Sequence, residues 1–198
     1  MAPIKYSIRE KDDIRARILD TAWQMVKDEG WQSLSIRKIA SAVNYSVPVI
    51  YDHFENKEAI ILEFARQGFN MLTKNVERAI EKTSDPEEQL KGIADGYWKF
   101  ASKHKEYYQL MFGMGMVGCE IEKCFPERAD FRLMVMAPIK ILIAKGKHPD
   151  DNPFLKYFTF WSILHGLISI RNLDTNVSES VNKMVMDDAI SGFIKNLG

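Results

Sequence analysis

The sequence predicts an all-α protein, and three observations support that fold class. Apolar residues recur at the 3.6-residue period of a helix through most of the 198 positions. Residues that commonly start helices, such as Ser35, Asn56 and Pro86, separate these periodic stretches. We find no convincing strand pattern and no internal repeat. The hydrophobic fraction of 46% and the charged fraction of 27% are ordinary for a globular protein with a buried core.

The first predicted helix covers about residues 11–29 and follows an N-terminal arm of residues 1–10. Its apolar residues lie at helical spacing, and Gly30 is expected to end it because glycine readily takes the left-handed position after a helix. Arg15 and Arg17 stand near its start. We interpret them as solvated charges on an amphipathic helix, with contact to phosphate as the alternative.

Residues 35–57 have the pattern of a helix–turn–helix followed by the start of another helix. Ser35 and Ser46 are suited to the N-cap positions of two short helices. Asn44 lies between them and is the residue best able, after glycine, to take a left-handed turn position. Ile50 and Phe54 are four residues apart and are predicted to face the core together. Two short helices with a polar outer face are suited to insertion into the DNA major groove.

A long helix is predicted from Lys57 to about Lys82, capped by Asn56. It would link the two halves of the chain mechanically. Further helices are expected at about residues 87–102, 104–112, 127–145, 153–173 and 178–197.

The loop predicted at residues 113–126 contains both cysteines, Cys119 and Cys124. Two cysteines are too few for a disulfide framework and are typical of a reducing cytoplasm. The four histidines are scattered, and none lies within a few residues of the two cysteines, so the spacing does not fit a zinc site. We therefore predict no metal site and no cofactor. No signal peptide and no apolar run of the roughly 18 residues that a membrane helix needs is visible, which predicts a cytoplasmic protein.

Charge gives little support to a nucleic-acid partner. The formal net charge of the chain is zero. Residues 1–57 contain nine Lys and Arg residues against eight Asp and Glu residues, a net charge of +1. A strongly basic head would be easier to assign to DNA, so the assignment depends on the motif.

That motif resembles a tract shared by the tetracycline-repressor (TetR) family of transcriptional regulators. The residues that match it in register are Ser35, Ile36, Arg37, Ile39, Ala40, Ser46, Ile50, Tyr51, His53, Phe54, Lys57 and Glu58. The second half resembles, more loosely, the WHG type of C-terminal domain in the same family. Its matching residues are Tyr97, Phe100, Ala101, Tyr108, Leu110, Met111, Phe112, Trp161, His165, Gly166 and Leu167.

The two resemblances imply an N-terminal helix–turn–helix DNA-binding domain at residues 1–57. They imply a helical ligand-binding and dimerisation domain at residues 58–198, and a homodimer formed through the last two helices. The implied partners are a palindromic operator in double-stranded DNA and an unknown small-molecule effector. No membrane partner is expected.

The predicted DNA-binding residues are Ser35, Arg37, Ser46, Val47, Pro48, Val49, Tyr51, Asp52, His53 and Lys57. By resemblance to the family, Tyr51 and Lys57 would contact phosphates. Arg37 is our candidate for a direct base contact, because the apolar run from Val47 to Val49 can meet thymine methyls but cannot read guanine. The role of Asp52 stays open, since phosphates repel a carboxylate unless it accepts from cytosine or pairs with a neighbour.

The predicted ligand-binding residues are Trp98, Tyr108, Met111, Phe112, Trp161 and His165. Faces rich in aromatic residues and methionine can line an adaptable apolar pocket, although an ordinary helical core has the same composition.

We therefore predict a TetR-type regulator, a repressor that leaves its operator when a small apolar ligand binds. Two alternatives remain open. One is a DNA-binding dimer with a collapsed pocket, which responds to a protein partner or to nothing. The other is a helical small-molecule carrier or enzyme that has lost DNA binding. The sequence contains none of the common catalytic motifs, so we predict that it is not an enzyme.

Overall fold

The computed structural model describes residues 8–112, 126–173 and 176–197. Regular structure within these ranges is helical, as the sequence predicts. The helices are α1 (Ile8–Glu29), a short 3-10 helix (Trp31–Ser33), α2 (Ile36–Ala42), α3 (Val47–Tyr51), α4 (Lys57–Ile80), α5 (Pro86–Lys103), α6 (Lys105–Phe112), α7 (Pro126–Lys145), α8 (Pro153–Leu173) and α9 (Glu179–Lys195). Residues 113–125 of the predicted loop, with Cys119 and Cys124, lie outside the described residues.

The first three helices form a small bundle that we call the head, residues 8–56. Ile18, Ile39 and Ile50 are fully buried at its centre, one from each helix. Gly30 has a φ of 80° and Asn44 a φ of 57°, so both take the left-handed turn positions that the sequence predicts. The helix α1 begins at Ile8, three residues before the predicted start. Glu10 in its first turn favours that extension because a carboxylate complements the positive end of the helix dipole.

The remaining helices pack around α4 and α5. The helix α4 contacts α5, α6 and α7, and α5 also contacts α8 and α9. Gly68 on α4 leaves room for the Met111 side chain of α6, because an added Cβ would lie 2.5 Å from the Met111 sulfur. In the described part of the chain, no helix is long and apolar enough to span a membrane. The same residues hold no group of three or more His, Cys, Asp or Glu suited to a metal ion.

Of the three N-cap residues predicted between residues 35 and 57, one makes a side-chain capping bond with a described residue and two do not. The Asn56 Oδ1 accepts a hydrogen bond from the Ala59 amide at 2.8 Å. Ser35 and Ser46 occupy N-cap positions as predicted, yet neither hydroxyl makes a capping bond within the described residues. We therefore expect Asn56→Ala to lower the free energy of unfolding by about 1 kcal/mol. The matched variant Ser46→Ala should lower it much less, and urea denaturation of both variants tests the difference. Equal losses would contradict the assignment.

Candidate nucleic-acid interface

The helices α2 and α3 place a set of polar side chains on one exposed surface of the head. Arg37 on α2 is exposed, and Tyr51 at the end of α3 keeps 52% of its surface exposed. Asp52 follows Tyr51 and is exposed, and Lys57 is half-buried in the first turn of α4. The N-terminus of α4 adds a partial positive charge that favours phosphate. This surface of the helix–turn–helix therefore presents hydrogen-bond donors together with positive charge.

The structure corrects the expected orientation of two valines on α3. Val47 and Val49 are half-buried and pack against the core, whereas Pro48 between them is exposed. Val47 lies three residues before the buried Ile50, so the two side chains share one face of the helix. The apolar contribution of α3 to the outer surface therefore comes mainly from Pro48.

Two serine hydroxyls border the same surface. Ser46 is exposed and Ser35 is half-buried, and neither hydroxyl makes a capping hydrogen bond with a residue that the structure describes. Both hydroxyls are free to donate to a phosphate, as the sequence predicts for N-cap serines.

Arg17 is exposed, as expected of a solvated charge, whereas Arg15 is half-buried, and both arginines also contact the helix–turn–helix. The Arg15 guanidinium donates to the Glu63 carboxylate at 2.8 Å and to the His53 carbonyl at 3.3 Å. It also lies 4.3 Å from the centre of the Phe54 ring. Arg15 thus ties α1 to the end of α3 and to α4.

Arg17 holds the turn between α2 and α3. Its guanidinium donates to the Tyr45 hydroxyl at 3.1 Å and to the Val43 carbonyl at 3.4 Å. It also lies 5.2 Å from the centre of the Tyr45 ring. These contacts connect α1 to the turn between α2 and α3.

The basic residues of this surface differ in whether they form an ion pair. Lys38, the neighbour of Arg37, forms an ion pair with Glu29 at 3.0 Å. Arg37 and Lys57 form no such pair with any other described residue. Burial lowers the pKa of His53 below its ordinary value, with the Arg15 and Lys11 charges adding to that shift and Asp52 opposing it. Near neutral pH, His53 is therefore an uncharged donor beside the Asp52 carboxylate.

An aromatic cluster joins the head to the rest of the protein. It consists of Trp23, Trp31, Phe64 and Tyr107, and we call it the junction. The ring centres of Trp23 and Tyr107 are 4.2 Å apart, and those of Trp31 and Phe64 are 5.6 Å apart. The Trp31 indole N–H donates to the Glu106 carbonyl of α6 at 3.0 Å. The head is therefore connected to α6 directly, as well as through α4.

Four of the residues predicted to bind a ligand lie together in the second half. We call Tyr97, Tyr108, Phe112, Trp161 and His165 the Tyr–His cluster. The Tyr108 hydroxyl and the His165 Nδ1 are 2.6 Å apart. The rings of Trp161 and His165 are stacked, with centres 5.0 Å apart and an angle of 17°. Burial lowers the pKa of His165, and it raises the pKa of Tyr108 to about 12.

The other two predicted ligand residues point elsewhere. The Trp98 indole N–H donates to the Glu179 carboxylate at 3.0 Å, and the Arg171 guanidinium lies 5.2 Å from the Trp98 ring centre. Met111 lies against Gly68 of α4. Trp98 therefore belongs to a contact between α5, α8 and α9. None of the six predicted residues lines the groove of about 1030 Å³ that borders α4, α5 and α9 among the described residues.

Two family models match the chain. Residues 18–64, which include α2, α3 and the two hydrogen-bond partners of Arg17, match the model described as bacterial regulatory proteins, tetR family. Residues 90–180 match a tetracyclin repressor-like C-terminal domain. The first match covers all ten predicted DNA-binding residues, and the second covers the Tyr–His cluster.

Relatives and solved structures agree with these matches. The transcriptional activator FasR of Mycolicibacterium smegmatis is 26% identical over 102 residues, which cover 52% of this chain and 47% of that protein. The nicotine-responsive repressor HdnoR of Paenarthrobacter nicotinovorans is 24% identical over 43% of this chain and 44% of its own. The chain thus spans about half the length of the curated relatives it matches. The fold is similar to that of PfmR, a TetR family regulator of Thermus thermophilus, with a TM-score of 0.67, 22% identity, and coverage of 88% of this chain and 97% of that one.

Proposed function

Because this chain belongs to the tetR family of bacterial regulatory proteins, we propose that it represses transcription from a palindromic operator and releases that DNA when a small effector binds. The observation that carries the proposal is the outer surface of α2 and α3. Arg37, Tyr51 and Lys57 are presented there without competing ion pairs among the described residues, on a helix–turn–helix that Arg15 and Arg17 hold in place. Such a protein would act in the cytoplasm.

A homodimer through α8 and α9 would supply the second reading head. The exposed large apolar side chains of these helices are Phe154, Leu155, Phe158, Ile170, Leu173, Val181, Met184 and Val185. An apolar surface of this kind favours association with another copy of the chain. On DNA, the two heads would enter successive major grooves about 34–36 Å apart.

The contacts of α6 support a route from effector to DNA. Tyr107 packs in the junction against Trp23, and its chain neighbour Tyr108 bonds to His165. A ligand that displaces Tyr108 would therefore move Tyr107 and the Glu106 carbonyl, which Trp31 of the head contacts. The ligand must bind one of the two conformations more tightly, since equal affinity for both would shift nothing.

The proposal is tested by selection of duplexes from a random pool at two salt concentrations, followed by sequencing. We expect enrichment of a pseudo-palindrome with half-sites one helical turn apart, and weaker recovery at the higher salt concentration. If nothing is enriched even at low salt, the proposed regulator role fails. A helical carrier or enzyme that has lost DNA binding would then be the better description.

A further inference from the structure

The groove of about 1030 Å³ that borders α4, α5 and α9 is separate from the Tyr–His cluster. Two glycines of α5 lie against α4 along it. A Cβ added at Gly92 would lie 3.1 Å from the Ala79 Cβ, and one added at Gly96 would lie 3.4 Å from the Asn75 carbonyl oxygen. The two helices therefore run antiparallel beside the groove. The basic side chains that line it are Arg78, Lys82, Lys91, Lys99, Lys103 and Lys183, and we call it the basic groove.

The basic groove has an excess of positive charge. Burial lowers the pKa of His104, which also lines it, so this ring adds no charge near neutral pH. The six basic side chains exceed the acidic ones by three, whereas the whole chain has a net charge of zero. An anion in the groove would therefore meet a local attraction that the molecule as a whole does not offer. The acidic residues that line the groove are Glu88, Asp95 and Asp187.

These acidic residues already have partners, so part of the positive charge has none. The ion pairs of the groove are Lys91–Glu88 at 2.7 Å, Lys99–Asp95 at 2.7 Å, Lys183–Asp95 at 3.4 Å and Lys183–Asp187 at 2.9 Å. Burial alone would raise the pKa of the Asp95 carboxyl, but the hydrogen bonds and charges of Lys99 and Lys183 lower it. The basic groups of the groove that form no ion pair with another described residue are Arg78, Lys82 and Lys103.

The unpaired cations lie at opposite ends of the groove. Arg78 precedes Ala79, which faces Gly92, whereas Lys103 follows Gly92 by eleven residues. At 1.5 Å per residue, this separation is about 16 Å along α5. Arg78 and Lys103 each occupy the last turn of a helix, where the helix dipole favours a cation, but the dipole does not explain the four other lysines of the groove. A compact anion can reach only one end, and an elongated anion can reach both.

The lining offers little to an apolar or aromatic ligand. Among the described residues that line it, the sole aromatic ring is that of His104, whose centre lies 5.4 Å from the Phe100 ring and 6.3 Å from the Tyr107 ring. Ile190 is the largest apolar side chain there and keeps 2% of its surface exposed. A nucleobase would find no free ring for stacking. A peptide would find neither a sheet edge nor apolar anchors. Affinity in this groove must therefore come mainly from charge.

We propose that the basic groove binds an elongated anion made of linked phosphate groups, of which inorganic polyphosphate is the simplest. One end of the chain pairs with Arg78 and Lys82, and the other end pairs with Lys103. The phosphates between them lie near Lys99 and Lys183. Both the guanidinium and the ammonium group suit phosphate oxygens. This site is distinct from the effector site of the proposed function, and the inference does not rest on that function.

The test compares linear phosphate chains of increasing length, titrated into the full chain at one ionic strength. The probes are pyrophosphate, tripolyphosphate and octaphosphate. Because only octaphosphate is long enough to reach both ends of the groove, we expect it to bind about tenfold more tightly than tripolyphosphate. At ten times its dissociation constant it should raise the thermal midpoint by about 3–6 °C.

Variants at the two ends locate the site. Arg78→Gln and Lys103→Gln should each weaken octaphosphate binding about two- to fivefold, and together about tenfold, because each removes one exposed ion pair with the ligand. Lys140→Gln is the matched control, since Lys140 is exposed on α7 and does not line the groove. It should leave octaphosphate binding unchanged. The double variant Arg37→Ala, Lys57→Ala tests the head as a competing site and should also bind octaphosphate fully.

Five results would overturn the inference. They are an affinity that does not rise with chain length, an equal loss in Lys140→Gln, and a loss that follows the head variant instead of the groove variants. The fourth is tighter binding of octaglutamate than of octaphosphate, which would assign the groove to an acidic peptide. The fifth is tighter binding of ATP than of tripolyphosphate, which would assign it to a nucleotide.

The outcome is separable from that of the proposed function. Selection of duplex DNA tests the head, and the groove variants should still bind the selected duplex. If no duplex is selected but octaphosphate binding depends on Arg78 and Lys103, the regulator role fails and the groove site stands. If a duplex is selected and the phosphate chains do not bind, the reverse holds.

Discussion

Arg37→Ala is expected to weaken binding to the selected operator by about 5- to 150-fold and to relax the choice of one base pair. Arg37 is exposed on α2 and has no ion-pair partner among the described residues, so its fork of donors is available for a guanine edge. In contrast, Lys57→Ala should weaken binding to all duplexes alike and reduce the salt slope by about one. Fluorescence anisotropy on a panel of duplexes, each with one base pair changed, measures both effects.

Lys38→Ala is the matched control for both variants. Lys38 adjoins Arg37 on α2 and is exposed, but Glu29 already neutralises it at 3.0 Å. Its removal should change operator affinity and salt dependence only slightly. A uniform loss across the panel for Arg37→Ala would contradict a base contact and assign that arginine to phosphate.

The local structure of the head was predictable from the sequence because its signals act over a few residues. Asn44 and Gly30 take left-handed conformations for reasons within their own backbones. Asn56 caps an amide three residues away, and Ile50 and Phe54 share a face through helical spacing. The family resemblance includes Ile50 and Phe54 among its matching residues and is confirmed by the matching models.

The clamps of Arg15 and Arg17 were not predictable in this way. Arg15 reaches partners 38 and 48 residues away in the chain, and Arg17 reaches partners 26 and 28 residues away. Periodicity places an arginine on the polar side of a helix, but it carries no information about which other helix passes that side.

The position of Trp98 relative to the other predicted ligand-binding residues could not be predicted for a related reason. Neighbouring residues on a helix point about 100° apart, so Tyr97 and Trp98 face different parts of the protein. The packing of α5 places Trp98 against Glu179 and Arg171, and it places the Tyr97 ring beside the Tyr108 ring, with centres 6.0 Å apart. Only the arrangement of helices decides this.

Trp31→Ala is expected to lower the free energy of unfolding by about 3–5 kcal/mol, the usual cost of truncating a buried tryptophan. Trp31 keeps 5% of its surface exposed, and its ring contacts Trp23 and Phe64. Urea denaturation measures this loss, and an unchanged m-value shows that the same amount of surface is exposed on unfolding. Trp31→Phe keeps most of the ring contacts and removes the N–H, so it should cost only about 1–2 kcal/mol. A loss below about 1 kcal/mol for the alanine variant would contradict a packed junction.

The conservative variant also tests whether α6 transmits a signal. Tyr108→Phe removes the bond to His165 at one side of α6, and Trp31→Phe removes the bond to Glu106 at the other. If α6 couples the two sites, the effect of Tyr108→Phe on operator affinity should shrink in the Trp31→Phe background. If α4 alone carries the signal, the two effects should add. The helix α4 connects the two halves in every variant, so a single substitution cannot show which route the signal takes. Only the double-mutant cycle separates a signal that passes through α6 from one that passes along α4.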